Sequence, residues 1–150
     1  MDAIDKIHIK LKNLVEYTKI LNNYKNIQLY ELESNVEKRG AIERYLHLAT
    51  ETVLDIANLL NAEYKFRPAE SSKDSIIILG EEGVLAKKFA EKLSSMAGFR
   101  NILVHDYMKI DYSIVLDVLK NSLSDFNRFA KEVAKFLLWT FNILGASHSK

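Results

Sequence analysis

Arg100, His105 and Tyr107 stand within eight residues of one another, in the segment Met-Ala-Gly-Phe-Arg-Asn-Ile-Leu-Val-His-Asp-Tyr-Met-Lys-Ile-Asp-Tyr that runs from 96 to 112. Arginine carries a permanent planar cation suited to gripping phosphate. Histidine both gives and takes protons near pH 7. A cation and a proton-transfer group side by side are what phosphoryl chemistry asks for, and a phenol close by is a group that can be modified. On an ideal helix, residues 100 and 105 are about 140° and about 7.5 Å apart, so Arg100 and His105 do not share a face, whereas Arg100 and Tyr107 do. Spacing alone therefore builds no site within one chain. The segment becomes workable when it faces its own copy across a two-fold axis, where two histidines and two arginines meet.

The other titratable residues offer less. His47 lies on a Glu43, His47, Glu51 stripe that reads as a solvated, charged helix face. His8 and His148 stand alone. No histidine spacing suits a metal, no acidic cluster resembles a two-metal nuclease, and the absence of cysteine removes thiolate sites and disulfides. The expected reading is therefore no metal and no cofactor.

The elements that carry these residues are helical. One proline and five glycines in 150 residues leave few places for the chain to break. A first helix opens with Asp2 as its cap, follows the stripe Ile4, Ile7, Leu11, Leu14, Leu21 with Thr18 filling the gap, and runs to about Tyr24. Residues 27–32 either continue it or form a connection. Ser34, with Glu37 three residues on, predicts the start of a second helix. Its stripe is Ile42, Leu46, Ala49, Val53, Ile56 and Leu60, and it ends near Glu63, ahead of Arg67-Pro68. Residues 64–72 read as a loop, with Ser71 or Ser72 capping a short helix over 74–79 that stops at Gly80. A third helix follows Gly83 with the stripe Leu85, Phe89, Leu93, Met96; it carries Arg100 one turn on and frays between His105 and Lys109. Gly98 inside it predicts a close approach by backbone or ligand. A fourth helix starts at Asp111, shows a wide apolar face through Val115, Leu119, Phe126, Phe129, Val133, Phe136 and Trp139, and terminates at Gly145. The prediction is an all-α, antiparallel four-helix bundle with a short extra helix, one domain over 1–145, and a disordered tail at 146–150. The breadth of the last face suits a homodimer or, equally, a broad core face within one chain.

A formal net charge of +1 gives no strong overall field for a polyanion, so any nucleic-acid binding must be local. Hydrophobic residues at 48% and charged residues at 27% are ordinary for a soluble domain large enough to bury a core. The charged start Met-Asp-Ala-Ile-Asp-Lys shows no secretion signal, and an apolar run such as Phe136 to Trp139, which no other exceeds in length, is too short to cross a bilayer. The expectation is a cytoplasmic protein with no membrane partner.

Two stretches together carry a resemblance. Arg39-Gly-Ala-Ile-Glu-Arg-Tyr-Leu-His-Leu-Ala-Thr-Glu-Thr-Val-Leu-Asp-Ile-Ala-Asn is similar to the second helix of HepT-like toxins of the HEPN superfamily, and Gly98 to Asp111 resembles their Arg-x4-His-x-Tyr motif and the turn after it. The resemblance implies a HEPN-like helical bundle that dimerises with two motifs facing one cleft. It also implies a metal-independent endoribonuclease, the toxin of a prokaryotic type VII toxin–antitoxin pair. Arg100 and His105 would be its catalytic groups, with Asn101 assisting. Its partner would be a minimal nucleotidyltransferase antitoxin that moves AMP from ATP onto Tyr107. In metal-free RNA cleavage the ribose 2′-OH attacks, a base takes its proton, an acid protonates the leaving 5′-oxygen and a cation stabilises the phosphorus oxygens, leaving a 2′,3′-cyclic phosphate. The alternative reading is a non-catalytic helical partner of a nucleotidyltransferase.

Overall fold

The structure, a computed structural model, describes residues 1–105 and 110–148, with backbone alone at 102, 104, 105 and 144–148. Among the described residues it is all-helical: α1 (Ala3–Asn22), α2 (Leu29–Ser34), α3 (Val36–Glu63), α4 (Ser72–Glu81), α5 (Lys87–Ser94), α6 (Met96–His105), α7 (Tyr112–Asn121) and α8 (Leu123–His148).

The starts follow from capping chemistry. The Asp2 carboxylate accepts from the Asp5 N–H at 2.8 Å and opens α1. Ser71 Oγ accepts from the Asp74 N–H at 3.0 Å and opens α4, and Asp111 accepts from the Ser113 N–H at 3.0 Å to open α7. Each satisfies a donor that the first helical turn leaves without an internal partner. For α3 the cap is Asn35, whose side chain accepts from the Lys38 N–H at 3.1 Å. Ser34, expected in that role, closes α2 instead and donates its hydroxyl back to the Tyr30 carbonyl.

Two of the stops, those of α3 and α4, use left-handed residues. α3 ends at a non-glycine, Lys65 at φ 55°. There Phe66 N–H reaches the Asn61 carbonyl at 3.0 Å and Lys65 N–H reaches that of Ala62 at 3.3 Å, the two bonds of a Schellman closure. α4 repeats it one residue past the expected stop. Gly83 at φ 75° lets Val84 N–H bond the Leu79 carbonyl at 2.9 Å and its own N–H bond that of Gly80 at 3.4 Å. Gly80 serves a different need: a Cβ there would lie 2.7 Å from the Ala90 Cβ, so its bare backbone lets α5 press against α4. Gly98, where a close approach was expected, meets open space.

Two expected long helices are each divided. The third is broken at Ser95, between α5 and α6, and the fourth at Ser122, between α7 and α8. Both serines are poor at holding a helix interior because their hydroxyls compete for backbone groups; Ser95 Oγ bonds the Lys92 carbonyl at 2.9 Å. At the other end, α8 runs through Gly145 to His148 rather than stopping at the glycine. Glycine costs a helix only about 1 kcal/mol, and no proline follows to enforce a stop.

The core is one cluster. α1 gives Ile7, Leu11, Leu14 and Leu21; α3 gives Ile42, Leu46, Ala49, Val53, Ile56 and Leu60; α8 gives Phe126, Phe129 and Val133. Thr18, on the α1 stripe, is buried with its hydroxyl donating to the Leu14 carbonyl at 2.8 Å. Lys10 pairs with Asp55 and Tyr17 packs near Tyr45, so α1 and α3 run antiparallel. α8 packs along α1, and its end is tied to the end of α3 by Tyr64 Oη and Thr140 Oγ1 at 3.1 Å. Beyond the core the wide face of α8 is open: Trp139 is 59% and Phe141 is 72% exposed.

Candidate active site

α6 lies along α3, and that seam decides where Arg100 points. Ala97 and Phe99 of α6 are buried. Arg100 sits at the edge of the seam, its side chain about one-third exposed.

There its Nη1 lies 3.5 Å from Glu51 Oε1 on α3. The same oxygen is 3.6 Å from His47 Nε2, one turn earlier on α3. Arg100, Glu51 and His47 thus form one half-buried cluster, with side-chain exposures of 31%, 35% and 30%. Asn101 is exposed on α6, next to this cluster in sequence. His105 is the last residue of α6, and Tyr107 lies outside the described residues.

The stripe read as a solvated face is in fact a seam. Its carboxylates, and Asp55 one turn further on, each meet a different helix: Glu43 lies against the Tyr112 hydroxyl of α7, Glu51 against Arg100 of α6, and Asp55 against Lys10 of α1. Burial first, and then the Glu43 carboxylate beside it, push the Tyr112 phenol up; the Arg39 guanidinium sits over the same ring, 5.3 Å from its centroid. Glu43 Oε1 is buried without a hydrogen-bond partner. Spacing of four residues on α3 was the available sign that 43, 47, 51 and 55 share a face. Nothing local said that other helices would cover it. Among the described residues, no three histidine, aspartate or glutamate side chains gather as metal ligands would.

A guanidinium at a surface seam, on a side chain about one-third exposed, can take a phosphate oxygen in its fork. Comparison with known proteins agrees with that chemistry. Over residues 13–133 the chain matches the family model described as ribonuclease HepT-like. It is 34% identical over 84 residues to the mRNA nuclease HepT of Shewanella oneidensis, a match that spans 56% of this chain and 63% of that one. It is 26% identical over 132 residues to the tRNA nuclease HepT of Aphanizomenon flos-aquae, spanning 88% and 90%. The fold is similar to a tri-AMPylated Shewanella oneidensis HEPN toxin solved in complex with MNT antitoxin, with a TM-score of 0.73 at 24% identity over 90% of this chain and 98% of that one. It is equally similar to YutE, a cytosolic protein of Bacillus subtilis, at 0.72 and 21% over 92% and 93%. With a family model matched over residues 13–133, from α1 into α8, the chain belongs to the ribonuclease HepT-like family.

Proposed function

We propose that this protein is a metal-independent endoribonuclease and the toxin of a toxin–antitoxin pair. The observation that carries the reading is the coincidence of family and geometry: Arg100, the cation of the Arg-x4-His-x-Tyr segment, is presented at the rim of a helix seam rather than committed to the core. In this reading Arg100 stabilises the charge that develops on the phosphorus oxygens, and His105 transfers the protons. One imidazole cannot be both base and acid in a single step, so a homodimer that faces two motifs across its axis supplies the pair. Asn101, exposed beside Arg100, offers a further hydrogen bond to the RNA. The 2′-OH attacks the adjacent phosphorus, the 5′-oxygen leaves with a proton, and the product is a 2′,3′-cyclic phosphate.

Silencing follows from Tyr107. A minimal nucleotidyltransferase antitoxin transfers AMP from ATP to its hydroxyl, releasing pyrophosphate. The new phosphodiester competes for Arg100, and the adenosine fills the RNA path. The setting is the cytoplasm; among the described residues no helix is long and apolar enough to cross a membrane. A near-neutral charge of +1 favours a second reading, a helical partner that binds a nucleotidyltransferase and cleaves nothing. Incubating the purified protein with RNA in EDTA separates the two. Fragments ending in 2′,3′-cyclic phosphate are expected. Intact RNA at every enzyme concentration would leave the partner reading, and 5′-phosphate ends would point to a metal-dependent route.

A further inference from the structure

We infer that Glu51 is a positioning residue for RNA cleavage: its carboxylate holds the Arg100 guanidinium at the seam in the orientation in which it meets the scissile phosphate. The inference rests on the proposed role of Arg100 and adds a residue from a different helix, 49 positions earlier in the chain.

The contact is 3.5 Å from Arg100 Nη1 to Glu51 Oε1. It is the kind of ion pair that does little for stability, since both side chains are about one-third exposed and water screens them. Both helices it joins are already anchored in the core by buried apolar groups, α6 through Ala97 and Phe99 and α3 through Leu46, Ala49 and Val53. What the pair changes is the freedom of a long side chain. Arginine has several rotatable bonds and, at a surface, samples many positions. A carboxylate on a rigid neighbouring helix, 3.5 Å from one edge of the fork, draws the guanidinium toward the α3 side by charge attraction and narrows the positions it samples.

Glu51 itself stands on α3, a helix of 28 residues whose adjoining positions Thr50, Thr52 and Val53 are buried. The anchor is therefore stiffer than the group it holds. The neighbouring carboxylates are already engaged, Asp55 with Lys10 at 3.3 Å and Glu43 beside Tyr112, so that Glu51 is the member of the stripe given to α6. His47 Nε2, one turn earlier on α3, lies 3.6 Å from the same oxygen. Glu51 does not touch the reacting atoms in this scheme: a carboxylate there would repel the phosphate. It acts through Arg100, and losing orientation by about an ångström is worth on the order of a hundredfold in rate.

The test measures RNA cleavage by the full chain in EDTA, under both saturating and limiting substrate. Glu51→Ala should lower kcat by about 10- to 100-fold with KM within about threefold. Glu51→Gln, which keeps an acceptor oxygen for the guanidinium, should recover part of that loss. The effect should depend on the arginine: in an Arg100→Lys background, adding Glu51→Ala should cost less than about twofold. Wild-type kcat in Glu51→Ala, or an undiminished loss in the Arg100→Lys background, would overturn the positioning role and leave the proposed nuclease intact. Full activity in Arg100→Ala would instead remove the reading on which it rests. Melting temperatures of the Glu51 variants should stay within a few degrees of wild type; a collapse of the fold in both would show that the carboxylate is structural and overturn the inference.

Discussion

Replacing Arg100 by alanine separates fold from function, and the structure sets the size of each effect. On the stability side the variant loses one ion pair at 3.5 Å between side chains about one-third exposed. Pairs this open are worth about 0.2–1 kcal/mol. The side-chain stem contributes some packing over α3, but the neighbours that hold α6 in place, Ala97 and Phe99, are untouched. The loss should therefore be at most about 1 kcal/mol, or about 2–4 °C in Tm for a chain of this size. On the catalytic side, removing one charge-stabilising donor from a phosphoryl transition state costs about 10²–10³ in kcat, equivalent to about 2.7–4 kcal/mol. The catalytic loss should exceed the stability loss severalfold. Thermal unfolding followed by circular dichroism measures the first, and single-turnover cleavage of a labelled RNA measures the second. A Tm drop of more than about 8 °C, with activity lost in proportion to the unfolded fraction, would refute the reasoning, because Arg100 would then be part of what holds α6 to α3. Cleavage at the wild-type rate would refute it from the other side.

Gly80 and Gly98 should respond oppositely to alanine. Gly98→Ala gains about 0.5–1 kcal/mol of helix propensity into open space, while at Gly80 the same gain is offset by about 1–3 kcal/mol of overpacking against the Ala90 Cβ, 2.7 Å away, so Gly80→Ala lowers Tm and adding Ala90→Gly restores it. Asp74 is pulled down to about 2 from 3.8, first by its hydrogen bond from Arg67. A depressed carboxyl contributes stability that is present above its unfolded value and lost as pH falls toward about 2, so unfolding titrations between pH 5 and pH 2 should show a steeper loss in the wild type than in Arg67→Met, and parallel curves would contradict this. Tyr107→Phe should retain most RNA cleavage yet stay active when co-expressed with a nucleotidyltransferase antitoxin, and intact-mass analysis should show AMP on the wild type alone. An adenylylated Tyr107→Phe protein would place the modification elsewhere.

Much of the fold was legible in local pattern. The stripes of α1 and α3 are buried, Thr18 included and Ile4 in part, and Asp2, Ser71 and Asp111 cap where their side chains predict. Such features depend only on residues three or four apart, so the chain states them without help. The resemblance carried by Arg39 to Asn58 and Gly98 to Asp111 was likewise present in the bare sequence, and the match to the HepT-like family bears it out. The breaks were less visible. Ser95 and Ser122 interrupt helices without glycine or proline, because packing two shorter segments on the core outweighs the backbone bonds lost at a serine. No periodicity could pair Arg100 with Glu51 and His47, since the three meet only when α6 is laid along α3. Read alone, the Glu43–Asp55 stripe is indistinguishable from a solvated face, because one helix carries no record of what will cover it. Tertiary packing turned that stripe into a seam of carboxylates, each facing a side chain from a different helix.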